Sequence, residues 1–215
     1  MTPTSVVGSG VIGITPTDGR DLSVLLDVAA NSGLRAVMIR DSALSQLQLH
    51  ALVSDFIDRF EDGMILHAKT PGAINVAQRW GLGLHLSSTM SAVSVRSVFS
   101  GCLSMSCHGL ESLRAAEGEG CDFALLSPVY APLSKPSQRD CLGLTELRRL
   151  SQMVTIPVVA LGGITPDRVV DCLSLGASAV AGIGGVFAPG GVAEVADACK
   201  QMRSAANTAM KLVPR

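Results

Sequence analysis

Short apolar runs and amphipathic stretches alternate along this chain. The apolar runs cover residues 11–15, 36–40, 64–68, 83–87, 103–108, 123–129, 157–163 and 179–185. Each is a few residues long and bounded by turn residues, the pattern of strands buried on both faces. Between them, helical spacing is found over residues 22–30, 44–60, 72–79, 90–99, 110–117, 144–153, 166–175 and 192–204. The best-marked unit runs from Ile156 to Gly176. Pro157 opens its strand, Thr165 stands at the N-cap, Pro166 takes the first helical position, and Gly176 stops the helix. Strand–helix alternation predicts parallel strands joined by crossover helices. Eight such units predict an α/β fold, a single-domain (β/α)8 TIM barrel over residues 1–215. The tail beyond Thr208 is expected to fray.

Side chains alternate along a strand, so each strand end can be phased. Ser104, Ser106 and His108 share one face, while Leu103, Met105 and Cys107 take the other. Arg40 shares a face with Met38, His67 with Ile65, and His85 with Ser87. In a closed barrel these small or polar faces point inward and meet above the core. Arg40, His67, His85, Ser87 and His108 are therefore predicted to converge on one pocket. A histidine at a strand end can exchange a proton near neutral pH, which makes His108 the candidate acid–base group. His85 lies mid-strand and is expected to be a satisfied interior histidine. Arg40, read as a buried strand-end arginine, calls for an anion or carboxylate partner.

Two glycine pairs, Gly162-Gly163 and Gly184-Gly185, end the last two apolar runs. Glycine lets backbone amides approach an anion, and loops after the seventh and eighth strands of such barrels are the usual phosphate seat. A small phosphorylated ligand is expected there. A polar loop follows the sixth strand, with Lys135, Arg139 and Asp140, and reads as a lid.

Composition narrows the classes. Net charge is −1 and aromatics are 3% of 215 residues, which argues against nucleic acid and against anionic membrane as partners. Residues 172–193 carry no charge, but glycines and Pro189 break them into helix end, strand and loop rather than a membrane span. The six cysteines are scattered without a Cys-x-x-Cys pair, as in a cytoplasmic protein with reduced, packed thiols. Residues 1–10 lack the basic start and apolar core of a signal peptide. The histidines have no carboxylate at ligand spacing, so neither metal nor other cofactor is expected. Assembly into a homo-oligomer stays open.

Ser106-Cys107-His108 with Glu111, the Ser127-Pro128-Val129 turn, Lys135, the run from Ile156 to Ile164, and Gly176-Ala177 leading to Val180-Ala181 together resemble the thiamine phosphate synthase/TenI superfamily. The resemblance covers residues 12–187. It implies a (β/α)8 barrel and one of two activities. One branch joins a pyrimidine diphosphate to a thiazole phosphate, using magnesium. The other is a metal-independent thiazole tautomerase. The synthase pattern has Asn-Asp-Arg after strand three and Gly-Gln-x-Asp after strand four. Here those places read His67-Ala68-Lys69 and Ser87-Ser88-Thr89-Met90. The Arg-x-Lys after strand two is Arg40-Asp41-Ser42. Magnesium needs oxygen ligands, and both aspartates are missing.

By resemblance, these departures imply the tautomerase branch: isomerisation of a carboxythiazole phosphate by His108. Arg40, His67, Ser106 and Lys135 would bind substrate, and the glycine pairs its phosphate. The alternatives are synthase activity, a non-catalytic or regulatory phosphate-ligand-binding protein, and a phosphate-binding barrel isomerase with another substrate.

Overall fold

The computed structural model describes residues 3–131 and 140–212. Eight parallel strands close into a barrel in sequence order, β1 pairing with both β2 and β8. The strands are β1 (Val11–Ile14), β2 (Ala36–Ile39), β3 (Gly63–His67), β4 (Gly83–Leu86), β5 (Leu103–Cys107), β6 (Phe123–Leu126), β7 (Val158–Leu161) and β8 (Ala179–Gly182). Every strand was expected; β3 has the length of its apolar run, shifted by one residue, and the other seven are shorter by one to three residues. The surplus residues lie mostly beyond the C-terminal strand ends, where the chain turns toward the next helix.

The helices are α1 (Pro3–Gly8), α2 (Leu22–Asn31), α3 (Gln46–Phe56), α4 (Ala73–Trp80), α5 (Ala92–Arg96), α6 (Leu110–Gly118), α7 (Gly143–Ser151), α8 (Pro166–Ser174) and α9 (Val192–Leu212). Local chemistry fixes their starts. Asp21 accepts from the amides of Ser23 and Val24 at the head of α2. Ser45 and Gln48 form a reciprocal capping box on α3. Thr165 precedes α8 with Pro166 at its first position, but its side chain makes no capping bond.

The alternation of each strand divides the core in two. Ile12, Ile14, Met38, Ile65, Phe123, Leu125, Val159 and Ala181 fill the barrel interior. Val37, Ile39, Leu66, Leu84, Met105, Ala160 and Val180 face outward to the helices.

Two features depart from the expected pattern. Helix α1 packs against β1 and β3, and its Val6 and Val7 join the interior cluster beside Cys102, sealing the N-terminal end of the barrel. The tail does not fray at Thr208: α9 runs to Leu212, with Ala206 and Ala209 fully buried. Five cysteines are buried free thiols and Cys141 is exposed. Burial pushes the Cys107 thiol up to about 12, in keeping with packing rather than reactivity. Among the described residues no helix is long and apolar enough to cross a membrane.

Candidate active site

At the C-terminal end of the barrel a central cavity of about 410 Å³ opens. Its lining draws on all eight strands or the turns just after them. Met38 and Arg40 come from β2 and its end, His67 from β3, His85 and Ser87 from β4 and its end, and Ser106 and His108 from β5 and its end. The predicted convergence is therefore present. Register explains it, because β3 sets His67 beside His85, and β4 sets His85 beside Ser104.

The polar groups of the floor are tightly bonded. His85 is buried, with Nδ1 2.9 Å from Ser104 Oγ and Nε2 2.8 Å from Ser106 Oγ. Burial, followed by the charges of His67 and Arg40, lowers its pKa to about 3, so the ring is neutral. His67 Nδ1 accepts from the Lys69 amide at 3.2 Å. Burial and the nearby Arg40 and Lys69 charges bring His67 down to about 4. His108 is half-buried, and its Nδ1 donates to the Ser127 carbonyl at 2.7 Å. That bond places a proton on Nδ1, so in the neutral ring Nε2 is the lone-pair nitrogen.

Arg40 corrects an expectation. It is exposed at the rim rather than buried, so burial does not demand a partner for it. Its backbone amide is held by Thr15 Oγ1 at 2.8 Å. Among the described residues neither Arg40 nor Lys69 forms an ion pair, and both line the central cavity.

A second cavity, of about 600 Å³, adjoins the first. It is lined by Thr15, Pro16, Thr17, Arg20, Gly184 and Phe187 among others. Thr17, Arg40 and Ile183 belong to both cavities, so the two meet at Arg40. Sequence reasoning missed the side cavity, Arg20 and Lys69. Arg20 is tied to Asp18 and donates to the Phe187 and Ala188 carbonyls, bracing the loop after β8.

The glycine pairs divide. Gly184 lines the side cavity, and the amides of Gly184 and Gly185 make no hydrogen bond among the described residues. Gly162 and Gly163 line neither cavity. Their carbonyls accept from the Tyr130 amide and from Arg168, whose guanidinium also lies 4.5 Å over the Tyr130 ring. A Cβ on Gly163 would meet Ala131 O at 2.3 Å, and one on Gly185 would meet Ile164 O at 2.1 Å. Close packing of backbone on backbone accounts for both of these glycines. Lys135 lies outside the described residues, as does Arg139.

The donor set does not suit a divalent cation. Asp41 is the carboxylate in the central cavity, and its Oδ1 already accepts from the Ala43 amide. Asp18, in the side cavity, is paired with Arg20. No group of three histidine, cysteine or acidic side chains that could hold a metal occurs among the described residues. Magnesium favours carboxylate oxygens. A lone carboxylate between Arg40 and Lys69 does not fit it.

Comparison with known proteins bears on the chemistry. The profile of the family described as thiamine monophosphate synthase matches residues 11–186. A thiamine-phosphate synthase of Chloroflexus aurantiacus is 28% identical over 191 residues, covering 86% of each chain. One of Archaeoglobus fulgidus is 26% identical over 178 residues, covering 79% of this chain and 81% of its own. The solved structure of a thiamine phosphate pyrophosphorylase from Pyrococcus furiosus superposes with a TM-score of 0.81, covering 97% of this chain and 98% of the other at 19% identity. That likeness shows the fold. The expected tautomerase assignment is overturned, because relatives aligned along most of the chain carry the synthase name. By its family profile and the length it matches, this chain belongs to the thiamine monophosphate synthase family.

Proposed function

We propose that this protein is a transferase of the thiamine-phosphate synthase type, joining a heterocyclic diphosphate to a phosphorylated heterocycle. The observation that carries the reading is the pair of cavities meeting at Arg40. An isomerase needs one substrate seat, whereas a joining reaction needs two, side by side. In the joining step a carbon–nitrogen bond forms as the carbon–oxygen bond to diphosphate breaks, and the diphosphate leaves with its electron pair. Negative charge gathers on the leaving group. Arg40 and Lys69 carry positive charge at that rim without competing ion partners among the described residues. Fixed positive charge beside a departing anion stabilises the transition state more than the ground state. The Gly184–Gly185 amides offer a seat for the second substrate's phosphate.

The test is product formation from a pyrimidine diphosphate and a thiazole phosphate, with and without magnesium. Product and released diphosphate in equal amounts are expected. The missing carboxylates favour one second reading, a binding protein that holds the thiazole phosphate without turnover. Saturable binding of the thiazole phosphate with no diphosphate release under either condition would establish that reading instead.

A further inference from the structure

We propose that His85 and Ser104, which lie beneath the central cavity, are positioning residues that hold the Ser106 hydroxyl as a hydrogen-bond acceptor toward the ligand. The proposal rests on reading that cavity as the seat of the heterocycle. It follows from the order of protons along one chain of contacts.

Ser104 is fully buried, and its hydroxyl lies 3.5 Å from the Leu84 carbonyl. The Ser104 proton is assigned to the Leu84 carbonyl, the one of its two contacts in which the hydroxyl can only donate. The Ser104 oxygen is then free to accept from His85 Nδ1 at 2.9 Å. A neutral imidazole has one N–H, so Nε2 of His85 keeps its lone pair. Ser106 is 2.8 Å from that nitrogen and must donate to it. Its proton is thus turned inward. What remains at the cavity wall, where Ser106 is half-buried, is an oxygen with open lone pairs.

The neighbouring groups have fixed polarity as well. His67 Nδ1 accepts from the Lys69 amide, so the neutral ring carries its proton on Nε2. His108 donates from Nδ1 to Ser127, which leaves Nε2 as an acceptor. Of these three neighbours in the cavity wall, His67 is the donor, and Ser106 and His108 are acceptors. The His67 and His85 rings are 5.5 Å apart between centroids, so the donor and the Ser104–His85–Ser106 chain are neighbours. A ring nitrogen beside an exocyclic amino group matches this polarity. The corresponding oxo ring, with a carbonyl beside a ring N–H, reverses both positions. A buried polar site rejects a ligand of reversed polarity strongly, because its own groups are left unpaired.

The experiment reads the protons directly and then the selectivity. Long-range proton–nitrogen NMR of the full chain labelled with ¹⁵N-histidine assigns the His85 tautomer, with Nδ1–H expected. Titration with 4-aminopyrimidine and with pyrimidin-4-one compares the two polarities, and roughly 100-fold tighter binding of the amino ring is expected. Ser104→Ala removes the acceptor for Nδ1–H, releases the tautomer toward Nε2–H and collapses the preference. Ser104→Thr keeps the hydroxyl and restores it. A wild-type His85 protonated at Nε2, or a Ser104→Ala variant that folds and keeps the wild-type preference, overturns the proposal. Neither readout requires turnover. Absence of diphosphate release with the expected tautomer and preference would instead count against the transferase reading alone.

Discussion

Under the proposed joining step, His108 would have a different task from the one expected. Displacement of diphosphate by a ring nitrogen leaves no proton to move, so the acid–base role expected for this histidine has nothing to act on. What the geometry retains is a ring locked by Ser127 with Nε2 as an acceptor toward the cavity. His108→Ala should then weaken substrate binding by up to about tenfold, the worth of roughly one neutral hydrogen bond. Steady-state kinetics checks it: KM should rise while kcat stays within a few-fold. A loss confined to kcat would return His108 to proton transfer. Arg40 and Lys69 should behave differently, since they face charge. Arg40→Ala or Lys69→Ala should cost about 10- to 100-fold in diphosphate affinity, in line with roughly 1.5–3 kcal/mol for a charged hydrogen bond. Rising salt should erode the wild-type affinity more than that of either variant. Equal salt sensitivity in wild type and variants would remove both residues from the anion site.

The loop after β7 shows how one sequence signal can serve two masters. Gly162 and Gly163 have φ of +101° and +61°, and a Cβ on either would meet the 128–131 turn within 3 Å. Gly163→Ala should therefore destabilise the unliganded protein by well over the roughly 1–2 kcal/mol that left-handed backbone alone costs. Gly33→Ala is the control, because Gly33 has φ +85° but open space around its Cβ. Chemical denaturation of both variants without ligand checks this, and equal losses would refute the packing argument. The same duality marks what could be read in advance. Short apolar runs placed all eight strands, and alternation along them brought Arg40, His67, His85, Ser87 and His108 to one cavity, because strand geometry alone decides that. A Gly-Gly pair carries no such geometry, and its sequence cannot distinguish an anion seat from a tight approach of backbone to backbone. Helix α1 was invisible because its described burial rests on Val6 and Val7, too few apolar positions to set a helical period. The last turns of α9 were missed because they are buried through Ala206 and Ala209, whose small side chains give a weak hydrophobic signal.

Two histidines of the barrel stay neutral in the fold well below the pH at which they charge in the unfolded chain, and that makes stability depend on pH. Burial is the first cause for both, holding His67 at about 4 and His85 at about 3 against an ordinary value of 6.5. Arg40 and Lys69 add repulsion at His67, and Arg40 and His67 add it at His85. Well above pH 6.5 both rings are neutral whether the chain is folded or not, so they contribute no pH dependence. Below it the unfolded chain takes up protons that the folded one refuses, and stability falls as pH falls. The loss continues to about pH 4 for His67 and about pH 3 for His85, at a limiting slope of roughly 1.4 kcal/mol per pH unit for each histidine. The affected carboxylates cannot mimic this above pH 5. Asp18, Glu117, Glu146 and Asp167 are all shifted downward from ordinary values of 3.8 to 4.5, so their contribution is lost only at lower pH. Denaturation midpoints measured between pH 7 and 5 should therefore decline, and His67→Gln should flatten the decline because it removes one of the two proton acceptors. Midpoints that stay level over that interval would mean that His67 and His85 accept protons inside the folded barrel, and the fixed polarity of the cavity floor would fall with them.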